Sequence, residues 1–244
     1  MPFSTRAQVI TRRTYNRPVS DDGKQFETWQ ETVARVIDHQ EWLWQRAAGR
    51  DLTDLEYSEL YDLEQLMLDR KVSMSGRTLW LGGTDVAKTR EASQFNCSFT
   101  HVETIYDVVD VLWLLLQGCG VGFKPIVGTL NGFSKPIKDI KVIRSERTAK
   151  GGNEHNSEWF DEETKTWTLQ VGDSAEAWAK SIGKLIAGKY AADTLVLDFS
   201  QLRPAGERLK GYGWISSGDS AISTAYVAIA TILNGRADSL LTRM

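Results

Sequence analysis

Hydrophobic positions along this chain of 244 residues change their spacing several times, and each change predicts an element. Residues 1–23 are polar and show no period, which reads as extended chain with a turn at Asp21-Asp22-Gly23. Phe26, Trp29, Val33, Val36 and Ile37 recur at spacings of three and four and predict a helix over 24–48. Thr53 followed by Glu56 is a capping-box pattern, opening a second helix that runs to about Arg70 with Leu55, Leu60, Leu63, Leu66 and Met67 as its stripe. Beyond Val72 the period is lost, and 73–83 reads as a loop. A short strand is expected over Gln94–Phe99. Residues 104–117 are almost wholly apolar, which predicts a helix buried on most sides. Glycines at 118, 120 and 122 then lead into another strand.

Residues 124–172 are polar and loop-rich, with one exception. Trp167, Leu169 and Val171 alternate with polar neighbours, as in a half-buried strand, and Trp159 and Phe160 are placed to pair with it across a turn at Asp161–Lys165. Asp173 and Glu176 are expected to cap a helix with Trp178, Ile182, Leu185 and Ile186 on its buried face and Gly188 near its end. A strand over Thr194–Phe199, a loop carrying Arg203-Pro204-Ala205-Gly206 and a final helix from Asp219 to Asn234, closed by Gly235, complete the pattern. Strands alternating with helices indicate an α/β chain.

Composition narrows the function classes. A net charge of −3 excludes a nonspecific DNA or RNA coat, whose affinity would come from basic side chains on phosphates. The N-terminus has no apolar leader, and the longest apolar run, Val108–Leu116, is interrupted by Asp110 and falls short of the ~20 residues a membrane span needs. A cytoplasmic protein without membrane contact is expected. Two cysteines, Cys97 and Cys119, make neither a disulfide framework nor a zinc site, and His39, His101 and His155 lack ligand spacing, so no metal site is expected.

Three places can carry chemistry. Cys97 sits in a strand, pointing opposite to Asn96 and Ser98; a free cysteine there is either a small packing residue or a reactive thiol. The alternating glycines around Cys119 let the backbone approach another group closely, yet they follow a helix rather than open one, which excludes a P-loop or Rossmann phosphate cradle. Arg203 and Lys210 flank a Pro-Ala-Gly loop that would suit a nucleotide phosphate or stand as a solvated basic loop.

Taken in order, Ser75-Gly76-Arg77-Thr78-Leu79-Trp80-Leu81-Gly82-Gly83, Asn96-Cys97-Ser98-Phe99 and Gly118-Cys119-Gly120-Val121-Gly122-Phe123 resemble the opening of the catalytic barrel of class II ribonucleotide reductases, which use adenosylcobalamin. Leu202–Gly213, Ser216-Ser217-Gly218 and Ile232–Ala237 are similar to later parts of the same family. The resemblance implies the N-terminal half of a ten-stranded α/β barrel over 73–244, after a helical region over 1–72. It also implies that 124–172 is the insertion of the monomeric branch, contributing to an effector site. By resemblance, Cys97 is one of the cysteine pair that reduces the ribose, Thr78 and Asn96 contact the substrate, and Cys119 and Gly120 lay bare backbone against the sugar. Arg203, Lys210, Ser216, Ser217 and Gly218 belong to the effector loop. The implied partners are a ribonucleoside di- or triphosphate, a deoxynucleotide effector, a thioredoxin-like reductant and a C-terminal reductase fragment carrying the radical cysteine. The last ten residues do not read as a domain end, which fits one piece of a longer or split protein. The competing reading is a non-catalytic nucleotide-binding or assembly fragment that keeps the effector loop. A thiol peroxidase built on Cys97 is disfavoured by the missing CxxC and resolving cysteine.

Overall fold

The computed structural model describes residues 4–20, 22–209, 212 and 214–241. The chain forms two compact units, residues 1–96 with 210–213, and residues 97–209 with 214–244. They part at Asn96–Cys97 rather than at residue 72, because the segment after Val72 folds onto the N-terminal helices.

The N-terminal unit is helical: α1 Thr5–Thr14, α2 Trp29–Ala48, α3 Asp54–Leu68, α4 Gly76–Leu81 and α5 Asp85–Thr89, followed by a 3₁₀ turn at Glu91–Gln94. Thr28 with Glu31 and Thr53 with Glu56 form complete capping boxes at the starts of α2 and α3. The expected extended stretch at the N-terminus is instead α1, capped by Ser4. The expected loop over 73–83 contains α4, whose first turn is capped by Ser75. Both helices are short or weakly apolar, so neither shows a full period in sequence. Leu79 of α4 completes a core with Trp29, Val33, Val36 and Met67.

A polar hub binds α4 to α2. Glu27 accepts from Arg35 Nε at 2.7 Å and Nη2 at 2.8 Å, from the Arg17 backbone N–H at 3.1 Å and from Thr32 at 2.9 Å. Arg35 Nη2 also donates to the Leu79 carbonyl at 2.9 Å, and Nη1 donates to that of Gly82. Gly83 must be glycine: its φ is +79°, and a Cβ would lie 2.6 Å from the Arg35 carbonyl oxygen. Burial pushes the Glu27 carboxyl up, but the hydrogen bonds and charge of Arg35 outweigh it and hold the group below its ordinary range.

Among the described residues, the second unit has eight strands in three sheets. β1 Cys97–Val102 and β2 Gly120–Pro125 are a parallel pair joined by α6 Ile105–Leu116. β3 Asp139–Ile143, β4 Ser157–Asp161, β5 Thr166–Gln170 and β6 Thr194–Asp198 form a sheet in the order β3-β6-β5-β4. β7 Ala205–Arg208 and β8 Ile215–Ser217 are an antiparallel hairpin. α7 Ala175–Ala187 and α8 Ser220–Gly235 contribute to the core, where Trp167, Leu169, Leu195, Leu197 and Phe199 from the four-stranded sheet pack with Leu185, Tyr226 and Leu233. Trp159 and Phe160 pair with Thr168 and Trp167 across the expected turn, and Gly188 ends α7 in the left-handed conformation. The structure is thus mixed α/β, with β3 an element whose short polar-flanked run left no sequence signal.

Two expectations fail in this unit. The N-cap of α7 is Ser174, because Asp173 is drawn to Arg203. α6 is not buried on most sides: only Val111 is buried, while Tyr106 is 80% and Leu115 45% exposed. It packs on β1, β2 and α7, the last at close range because Gly183 has no Cβ to meet Val109. Its remaining face is uncovered by the described residues.

Two outcomes check the N-terminal unit. Arg35→Met should destabilise it by about 3 kcal/mol in a denaturant titration, since it leaves the Glu27 carboxylate buried without its ion partner. His39 is buried, and burial with the charges of Lys88 and Arg35 holds its pKa below the ordinary value, against a smaller opposing pull from Glu91. Its neutral form therefore stabilises the fold fully above the unfolded pKa of about 6.5, and that contribution is lost as pH falls through and below it. Melting temperature should drop on acidification over that window, and His39→Gln should flatten the drop.

Candidate functional site

Parallel pairing of β1 with β2 sets Cys97 opposite Gly120, Phe99 opposite Gly122 and His101 opposite Lys124. Successive strand residues point to opposite faces, so these six positions share one face of the pair. That face is open: Cys97, Phe99, His101, Gly120, Gly122 and Lys124 are all exposed. Ser98, Thr100 and Val102 occupy the other face, and Val102 is buried there.

Chain connection explains why the two strands meet in this way. A parallel pair needs a crossover, and the apolar α6 supplies it, started by a capping box of Thr104 with Asp107. The helix ends at Gln117, Gly118 turns with φ +86°, and the chain re-enters the sheet at Gly120. The result is a free thiol beside a residue without a side chain, roughly 4.8 Å away across the strands. Phe99 leans over Gly122, where a Cβ would come within 3.0 Å of its ring. Its ring also meets His101 edge-on at 5.7 Å. Phe99 and His101 were not singled out in sequence, although counting by twos from Cys97 reaches both.

Cys119 is buried, 3% exposed, with its sulfur 3.7 Å from the Gly120 carbonyl oxygen, so it faces away from the open side. Thr78 and Asn96 belong to the N-terminal unit. Thr78 lies in the first turn of α4, its hydroxyl 3.0 Å from that of Ser75, and Asn96 is an exposed residue just before β1.

Of the expected effector residues, Lys210 lies outside the described residues. Ser216 and Ser217 are in β8, and Gly218, at φ +66°, closes the hairpin with its N–H on the Ser216 hydroxyl at 3.1 Å. Arg203 is not a free cation. Its Nε donates to both Asp173 carboxylate oxygens at 3.0 Å, its Nη2 to the Asp173 carbonyl at 3.3 Å, and Glu207 stands 3.7 Å from Nη1. The pair is 13% and 6% exposed, so a phosphate would have to displace Asp173 to reach this guanidinium. Sequence could not show this, because the two residues are thirty positions apart and meet only after the sheet forms.

A family model described as "Ribonucleotide reductase alpha domain" matches residues 1–84. A second, "B12-dependent ribonucleotide reductase, insertion domain", matches residues 138–233. Both models describe ribonucleotide reductases, the second of the B12-dependent kind. The insertion-domain match runs well beyond residue 172 and takes in α7, β6, the β7–β8 hairpin and most of α8. Curated relatives of this reductase family include the adenosylcobalamin-dependent ribonucleoside-triphosphate reductase of Lactobacillus helveticus, 26% identical over 96% of this chain and 37% of the relative. Another is a putative adenosylcobalamin-dependent ribonucleoside-triphosphate reductase of Mycobacterium phage D29, 28% identical over 96% of this chain and 34% of the relative. The fold is similar to the crystal structure of a B12-dependent (class II) ribonucleotide reductase, with a TM-score of 0.72 and 24% identity over 96% of this chain and 38% of that one. The chain thus spans little more than a third of the length of the relatives it matches.

The exposure difference between the cysteines has a direct readout. A thiol reagent such as Ellman's should titrate one fast equivalent from the native chain and a second only on unfolding. Cys97→Ser should remove the fast one and Cys119→Ser the slow one.

Proposed function

We propose that this chain contributes the sugar-facing N-terminal part of an adenosylcobalamin-dependent ribonucleotide reductase, with Cys97 as one of the two thiols that reduce the ribose. The observation that carries this reading is the register of Cys97 against Gly120 on the open face of β1 and β2. A sugar needs both a thiol within reach and a backbone bare enough to approach, and a side chain at 120 would stand between them. In this reading β1, α6 and β2 open the catalytic barrel, with the exposed ring of Phe99 on the same face as Cys97.

The chemistry asked of Cys97 is a two-electron reduction. A thiyl radical on another cysteine takes the ribose 3′ hydrogen, the 2′ hydroxyl leaves as water, and Cys97 with a partner thiol gives up two electrons and becomes a disulfide. The 3′ hydrogen then returns. A dithiol reductant restores the pair by exchange, which is why a cysteine and no other residue suits this position. Adenosylcobalamin, when bound, supplies the radical that starts the sequence. No group of three or more His, Cys, Asp or Glu side chains that could hold a metal forms among the described residues.

The names of the relatives favour a ribonucleoside triphosphate as substrate. Thr78 and Asn96 are proposed to contact it. The β7–β8 hairpin with Ser216, Ser217 and Gly218 is proposed to serve a deoxynucleotide effector, with Arg203 holding the hairpin's base through Asp173. No helix among the described residues is long and apolar enough to cross a membrane.

Turnover by the enzyme assembled from this chain and the remaining reductase sequence is the test. Cys97→Ser should lower multiple-turnover activity at least about a thousandfold while substrate affinity stays within about threefold. Gly120→Val should weaken substrate binding, and Cys119→Ser should leave turnover within about tenfold of the parent. Repeated turnover by the Cys97→Ser enzyme with a dithiol reductant would remove Cys97 from the reaction.

A further inference from the structure

β3, β6 and β5 run parallel, so their carboxyl ends open on one edge of the four-stranded sheet. The segments that leave this edge interlock. Ser145 Oγ donates to the Leu202 carbonyl at 2.6 Å, the Asn153 N–H to Gln201 Oε1 at 3.0 Å, and the Asp173 N–H to the Asn153 carbonyl at 2.8 Å. Gly152 is pressed so closely on the segment after β6 that a Cβ would lie 1.9 Å from the Gln201 carbonyl oxygen. The loop from Arg144 to Asn153 is therefore held in place before any ligand arrives. It lies at the carboxyl edge of parallel strands, where open α/β sheets bind their ligands.

The cations of this loop differ in what they meet. Arg144 is neutralised: its Nε and Nη2 donate to the Asp219 carboxylate at 2.5 and 3.1 Å. Arg147 is half-buried, and its Nε is shielded from solvent yet meets no acceptor. Its Nη2 lies 3.3 Å from where a Cβ of Gly151 would stand, so the missing side chain lets the guanidinium lie against the loop. Lys150 makes a loose 3.6 Å pair with Glu154 between exposed groups. Glu146, the other acidic residue of the loop, is exposed. The N–H groups of Gly151 and Gly152 donate to no backbone carbonyl among the described residues. A buried cationic donor without an acceptor is costly. Water would supply only the hydrogen bond, whereas an anion supplies the hydrogen bond and the opposite charge.

We propose that Arg147, Lys150 and the N–H groups of Gly151 and Gly152 bind the phosphate chain of a nucleotide. A guanidinium beside glycine N–H groups is a donor set that phosphate oxygens match. The loop is tied to both ends of the β7–β8 hairpin, to Leu202 before it and, through the Ser145 N–H at 3.0 Å, to Asp219 after it. The nucleotide is therefore the deoxynucleotide effector of that hairpin, an identity that rests on the reading under Proposed function, whereas the phosphate site does not. The phosphate contact thereby passes from Arg203, which Asp173 occupies, to Arg147.

Calorimetric titration of the full chain with dATP, inorganic triphosphate and deoxyadenosine tests this. dATP and triphosphate should bind saturably and deoxyadenosine should not. Arg147→Gln should weaken both by about tenfold or more, the worth of one charge-assisted hydrogen bond. Lys150→Gln, at an exposed position that the fold does not need, should weaken them by about threefold. Lys141→Gln, an exposed charge in the body of β3, should change neither. An unliganded melting temperature equal to the parent's identifies the variants that are folded. dATP binding more tightly than triphosphate supports the effector identity. Equal affinities would keep the phosphate site and remove the effector reading. Unaltered affinity in both folded variants would overturn the site itself, as would the absence of saturable triphosphate binding.

Discussion

The parallel register of β1 with β2 is the constraint on which the functional half of this molecule depends. Side chains in a strand alternate with a period of two, so a slip of one residue would carry Cys97 to the side occupied by Val102 and leave a side chain opposite the thiol. Three local devices hold the register. α6 has the length to return the chain parallel to itself, its capping box at Thr104 sets where it begins, and Gly118 sets where it stops. Val102, buried on the covered face, resists the slip because the alternative would expose it.

The N-terminal unit is organised around charge rather than around a large core. Five buried side chains make its principal apolar cluster, and Arg35, paired with Glu27, reaches two backbone carbonyls at the C-terminal end of α4. A helix as short as α4 does not hold itself in water. Here it is held by Arg35 from outside and by Leu79 from within. Burial, with the charges of Lys88 and Arg35 beside it, holds the pKa of His39 below its ordinary value.

Sequence patterns located the long elements well. The helices α2 and α3, the Thr53–Glu56 capping box, the β4–β5 pairing across Asp161–Lys165, α7 with its glycine stop, β6 and α8 all stand close to where spacing put them, although of the α3 stripe only Leu60 and Met67 are buried and Leu55 and Leu66 are exposed. Misreadings fell on elements whose stability comes from elsewhere. α1 has a polar sequence and α4 is six residues long, so neither could show a period. β3 is exposed at four of five positions and exists because β6 offers it a ladder. Asp173 looked like a helix cap and became the partner of Arg203, a competition between a local hydrogen bond and an ion pair across the fold.

By itself, the sequence determined the periodic helices, the alternating strands, the cap and stop residues and the order of motifs that marks the reductase family, because each of these is written in neighbouring residues. Only the tertiary structure decided which groups face each other. It placed Cys97 beside Gly120 and turned Cys119 inward, and it withdrew Arg203 behind Asp173. These outcomes depend on contacts between residues distant along the chain. They are settled by which burial and which ion pairs win once the elements pack, and local spacing carries no record of that competition.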